Sequence, residues 1–101
     1  MENEKLKTLK ERYKKEGFII VGIVGSYARG EATSKSDIDI LYEIDYKNFL
    51  NNYDGFKSFK RLEEIKNELT AVFGKNVDLI NKKTLNEIGQ KYILKDVIYV
   101  R

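Results

Sequence analysis

Apolar residues recur along this chain with two different periods, and the switches between them mark out its elements. From Glu4 to Lys15, Leu6, Leu9 and Tyr13 stand three and four apart among lysines and glutamates, giving one apolar stripe on an amphipathic helix that Gly17 can end. Phe18 to Val24 reads Phe-Ile-Ile-Val-Gly-Ile-Val, a nearly continuous β-branched run that predicts a strand buried on both faces at the centre of a sheet. After Gly25 the pattern breaks. Ser26 is suited to cap a short helix that Gly30 ends, and a second strand is expected to open near Asp37 and run to Ile44. Asn48 to Gly55 carries the turn signals Asn51-Asn52 and Asp54-Gly55 and receives no firm assignment. Leu62, Ile65, Leu69, Val72 and Phe73 return to helical spacing between Phe59 and Phe73, with Gly74 as terminator. Asn76 to Ile80 reads as a third strand, Thr84 as the cap of a last helix reaching about Lys95, and Val97 to Val100 as a short final strand. The expected fold is α/β (α+β): a small mixed β-sheet flanked by helices.

Composition narrows the chemistry more than it narrows the fold. A chain of 101 residues without proline, linker or repeat is expected to form one domain, residues 1–101, around a single core. No apolar run approaches the ~20 residues that cross a bilayer, so no membrane span is expected. Met1 to Lys10 mixes both charges and lacks the apolar centre of a signal peptide, which, with zero cysteine, points to the cytoplasm. Cysteine and histidine are both absent, which removes disulfide scaffolds, zinc fingers, thiol nucleophiles and Ser-His-Asp triads. Any catalysis must run on carboxylates, hydroxyls, amines, backbone or a bound metal. Nineteen basic against sixteen acidic side chains leave a net charge of +3, in short scattered clusters such as Lys14-Lys15 and Lys82-Lys83, which gives no strong nucleic-acid signal.

The informative stretch is Gly25 to Ile40. Gly25-Ser26 follows a buried strand at an expected helix start, where free backbone N–H groups face an incoming anion. Gly25 lets a phosphate approach the main chain, Ser26 adds a hydroxyl donor, and Arg29 one turn on adds a guanidinium. Asp37 and Asp39 then stand two apart at the head of a strand, so both carboxylates share one face while Ile38 and Ile40 take the other. Their repulsion is about 2.5 kcal/mol at an effective dielectric of about 20, and a divalent cation turns it into attraction. Asp78, inside Val77-Asp78-Leu79-Ile80, needs a partner there and is expected to join the pair if its strand lies alongside. All-oxygen ligation selects a hard cation, Mg²⁺ or else Mn²⁺, and two such ions about 3.5–4 Å apart suit phosphoryl or nucleotidyl transfer. Taken singly, Gly25-Ser26 is an ordinary helix start and each aspartate an ordinary cap or edge residue. Their conjunction is what points to a site. The P-loop alternative fails because Glu31-Ala32 follows Gly30 where Lys and Ser or Thr are required.

At these residues the sequence resembles the minimal nucleotidyltransferases of the DNA polymerase β superfamily. The match is Gly25-Ser26, ten residues, then Asp37-x-Asp39, supported by Ala28-Arg29-Gly30, by Ser36 and by Asp78. The ending Ile98-Tyr99-Val100-Arg101 also looks like that family. The resemblance implies a polymerase β-like fold, catalytic Mg²⁺ ions on Asp37 and Asp39, and Asp78 completing the triad beside the attacking hydroxyl. It implies Gly25 and Ser26 on the phosphates of ATP, with Arg29 and Ser36 as further nucleotide-binding residues. Many small members act as antitoxins of the HEPN/MNT type, transferring AMP to a tyrosine of a HEPN-domain toxin, and that is the expected biology. A chain this short leaves little room for an acceptor-recognition domain, so a partner polypeptide or an oligomer is expected to supply the acceptor. The alternatives are a non-catalytic module that masks its partner and an aminoglycoside-type nucleotidyltransferase.

Overall fold

A computed structural model describes residues 3–100. Helix α1 spans Asn3–Lys14, and its stripe of Leu6, Leu9 and Tyr13 is buried, as the spacing predicts. Strand β1 (Phe18–Val24) pairs antiparallel with β2 (Ile38–Ile44), and β2 pairs parallel with β3 (Val77–Asn81). A two-residue strand β4 (Ile98–Tyr99) closes the other edge, giving a mixed sheet in the order β3-β2-β1-β4. Gly22 is required there, because a Cβ at that position would run into the Ile98 carbonyl.

The register of β1 on β2 slips by one residue between Ile20 and Gly22, so Val21 is the extra residue of a β-bulge. Before the bulge Phe18 and Ile20 face the core. After it the phase is reversed, and Ile23 joins them. Ile38, Ile40, Tyr42 and Val77 complete this face, over which pack α1, Phe49 of α2 (Tyr46–Asn52), and Ile65 and Leu69 of α3 (Phe56–Phe73). The other face carries Val24, Asp39 and Leu41. Val24 and Leu41 are buried yet stand apart from the main core. Helix α4 (Glu87–Ile93) and the 3₁₀ turn Leu94–Asp96 border that second face.

Several expectations are corrected. Residues 26–30 form consecutive turns and not a helix: the Arg29 amide donates to the Gly25 carbonyl (3.1 Å) and the Glu31 amide to Ser26 (2.9 Å). Gly25 (φ 74°) and Gly30 (φ 71°) are both left-handed, and between them there is room for little more than one turn. The unassigned stretch after β2 contains α2, capped by Asp45 and anchored by the single buried residue Phe49. Helix α3 begins three residues earlier than its apolar stripe, because Gly55 ends the preceding turn and Phe56 and Phe59 lie exposed. Asn86, not Thr84, caps α4, accepting the Gly89 amide at 2.7 Å. Thr84 closes the 3₁₀ turn Lys82–Thr84 by donating to the Asn81 carbonyl.

A polar bridge locks the helices together on the core side. Glu16 accepts two hydrogen bonds from Arg61 (2.6 and 2.8 Å) and one from the Tyr53 hydroxyl (2.7 Å). Arg61 also reaches Glu68, which accepts from Tyr13. The Arg61 hydrogen bonds hold the Glu16 carboxyl below its ordinary range. No helix among the described residues is long and apolar enough to cross a membrane.

Candidate active site

The second face of the sheet collects the residues that the sequence singles out. Asp39 and Asp78 are register partners on the parallel strands β2 and β3, so both point to the face away from the core. Val24, the last residue of β1, is paired with Asp39 from the other side, which brings Gly25 against the same carboxylate. A Cβ on Gly25 would collide with Asp39 Oδ2, and the left-handed φ of 74° independently favours glycine there. The main chain at Gly25 thus lies against the second acid of the Asp-x-Asp pair. Asp37 sits one residue before β2 and is exposed.

Among the described residues, Asp37, Asp39 and Asp78 accept no hydrogen bond and enter no ion pair, whereas Glu16, Glu31, Glu43 and Glu68 are all paired. Burial, then the negative charges of Asp78 and Asp37, push the Asp39 carboxyl above its ordinary range, and Arg29 opposes them in part. Asp39 therefore feels the charge of both other aspartates, with the Arg29 guanidinium as the opposing charge. Among the described residues no three acidic groups stand at the spacing of a finished metal cage.

The turn after Gly25 supplies the opposite charge preference. Its hydrogen bonds use the amides of Arg29, Gly30 and Glu31, leaving those of Ser26, Tyr27 and Ala28 without a partner among the described residues. Successive free amides after a left-handed glycine form a concavity suited to an anion. Arg29 adds charge at the rim, where it also meets exposed Glu31 at 3.3 Å.

Gly25, Ser26, Arg29 and Asp39 line one cleft of about 350 Å³, at the small end of ligand-sized pockets (about 300–1,000 Å³). Its far wall is Ile80, Tyr92, Ile93 and Asp96. Sequence reasoning did not select these four. Ile80 follows from Asp78 by strand alternation, but nothing in the α4 sequence marks Tyr92 or Asp96 as facing a cleft. Ser36 is not brought to this wall: its hydroxyl accepts the Thr33 amide at 2.8 Å and braces the loop before Asp37. Tyr27 packs against the core with the Lys75 ammonium over its ring, and does not line the cleft. A separate cavity of about 370 Å³ lined by Ile19, Tyr46 and Leu94 holds none of the selected residues.

Comparisons with known proteins identify the family. Residues 3–100 match the family described as nucleotidyltransferase domain. The chain is 43% identical to "Putative protein adenylyltransferase MJ1379" of Methanocaldococcus jannaschii, over 93% of this chain and 85% of the relative. It is 35% identical to protein adenylyltransferase MntA of Thermococcus cleftensis, over 93% of this chain and 83% of that one. A solved structure described as a toxin-antitoxin with AMP-PNP shares the fold at a TM-score of 0.69 and 16% identity, covering all of this chain and 73% of that one. With Asp39 lining one small cleft beside Gly25, Ser26 and Arg29, and a family match along nearly its whole length, the chain belongs to the nucleotidyltransferases of polymerase β-like fold and is a transferase enzyme.

Proposed function

We propose that this protein is a cytoplasmic, Mg²⁺-dependent protein adenylyltransferase that moves AMP from ATP to a hydroxyl of a HEPN-type toxin and so acts as its antitoxin. The observation that carries the reading is the Asp39 carboxylate, unpaired, pressed toward its neutral form by burial and by Asp78 and Asp37, and in contact with the main chain at Gly25. The relatives named as protein adenylyltransferases support a protein acceptor, and the toxin-antitoxin fold neighbour with AMP-PNP supports ATP and a toxin.

The donor set fits Mg²⁺. This ion is commonly held by one or two carboxylates together with substrate phosphates and not by a finished protein cage, which agrees with three acids near one another but not yet at ligand spacing. Asp37, Asp39 and Asp78 would hold it, and it would supply charge neutralisation for the attacking and leaving oxygens. The free amides of Ser26 and Tyr27, the Ser26 hydroxyl and Arg29 would bind and orient the β- and γ-phosphates, so that donors already face the charge that grows on departing pyrophosphate. Ser36 would act indirectly, by fixing the loop that presents Asp37.

The test is incubation with α-labelled ATP, Mg²⁺ and the product of the adjacent gene. Label should pass to that product and vanish with Asp39→Ala. Transfer that survives this change refutes the assignment. Toxin neutralisation that persists with Asp37, Asp39 and Asp78 all changed to alanine would mean that masking alone suffices.

A further inference from the structure

Tyr92 has no role in the site as read so far, yet it lines the same cleft as Asp39 and Gly25. Six other tyrosines are otherwise engaged. Tyr13 and Tyr53 donate to Glu68 and Glu16, Tyr42 is buried, Tyr27 packs on the core, Tyr46 lies under Lys83, and Tyr99 is in β4. Tyr92 is 72% exposed, and its hydroxyl has no partner among the described residues. Leaving a phenol free at the wall of a transferase cleft is the arrangement expected of an acceptor.

We propose that Tyr92 is a self-modification site, adenylylated by the cleft of its own chain; this rests on the transferase reading above. The Tyr92 oxygen would form a bond to the α-phosphorus of bound ATP while the bond from that phosphorus to the bridging oxygen breaks. Its electron pair leaves with pyrophosphate, and the phenolic proton passes to water in the open cleft. The product is a tyrosyl-AMP phosphodiester. Because acceptor and nucleotide-binding residues line one cleft of the same chain, the step is intramolecular and gains the high effective concentration of a tethered nucleophile.

The experiment uses the full chain alone with Mg²⁺ and α-labelled ATP, followed by intact mass and peptide mapping, with Mg²⁺-AMP-PNP binding measured by calorimetry on the same preparation. One AMP is expected on Tyr92, with a labelled fraction at fixed time that does not change over a tenfold dilution of the protein, and none with Tyr92→Phe. Thermal melting of the Tyr92→Phe protein checks that the exposed change leaves the fold intact. AMP-PNP binding without self-labelling, label on another residue, or equal labelling of the Tyr92→Phe protein each overturns this inference alone. Absence of AMP-PNP binding itself overturns the transferase reading and this inference with it.

Discussion

Replacing Asp39 with asparagine should make the protein more stable while abolishing its transferase activity. Asp39 and Asp78 are register partners on adjacent parallel strands. Such strands lie about 4.8 Å apart, a spacing at which two unit charges repel by about 0.9 kcal/mol in water and about 3.5 kcal/mol at an effective dielectric of about 20. Asp78 is exposed and Asp39 half-buried, which places the repulsion near the lower figure, and Arg29 offsets part of what the neighbouring acids add. Burial of the charge adds to the cost and is the larger cause of the raised Asp39 pKa. Relief of about 1 kcal/mol should raise the melting temperature by about 4–8 °C in a domain of this size.

The sign with pH follows from the direction of that shift. A carboxyl whose folded pKa lies above its unfolded value destabilises the ionised native state at neutral pH, and the penalty disappears as pH falls through the raised value. Melting curves of both proteins in EDTA at low ionic strength should therefore differ at pH 7 and converge on acidification. The gap should also narrow in about 1 M salt, where screening shortens to about 3 Å and removes the repulsive part but not the cost of burial. A variant no more stable than the parent at pH 7, or a gap indifferent to both pH and salt, would refute the electrostatic account of this face.

Gly25→Ala should destabilise by about 1–3 kcal/mol, since alanine must hold φ 74° and its Cβ meets the Asp39 carboxylate; calorimetry should also find Mg²⁺-AMP-PNP binding lost. Glu16→Gln should cost about 1–2 kcal/mol at pH 7 by weakening the Arg61 bridge. Because Glu16 is depressed when folded, its contribution is present above the ordinary carboxylate range and lost as pH falls through the lowered value, so acid melts should show the parent losing stability more steeply than the variant. Phe49→Ala should cost about 3–5 kcal/mol in denaturant titration, whereas Phe56→Ala, at a side chain 92% exposed, should change stability by no more than about 0.5 kcal/mol; equal costs would contradict the placement of α2.

What could be read from the chain follows from how many residues carry each element. Three buried residues at helical spacing make α1 legible, and α3 likewise offers a stripe, but α2 rests on Phe49 alone, and one anchor makes no period. Thr84 and Asn86 are both competent caps, and only the packing of the following turn decides between them. The acid positions were legible because strand alternation is local and β3 lies beside β2 in a register that pairs Asp78 with Asp39. The wall of Tyr92 and Asp96 was not, since it depends on where α4 and its 3₁₀ turn lie across the sheet, a tertiary fact with no local signature.

The deepest unread feature is the bulge at Val21. With strict alternation, Phe18, Ile20, Gly22 and Val24 would all face the core, which would put Val24 on the face opposite to that of Asp39. The extra residue reverses the phase, which sends Ile23 inward and brings Val24 opposite Asp39. In Phe-Ile-Ile-Val-Gly-Ile-Val every side chain but the glycine is apolar, so either phase satisfies the hydrophobic pattern and the sequence does not choose between them. The choice is made by pairing: the Val21 carbonyl accepts the Val100 amide at 3.1 Å, the Lys10 ammonium donates to the Val100 carbonyl at 2.7 Å, and Gly22 admits the Ile98 carbonyl. The edge strand farthest along the chain from Gly25 thus takes part in setting the phase that puts Val24, the residue before Gly25, opposite Asp39.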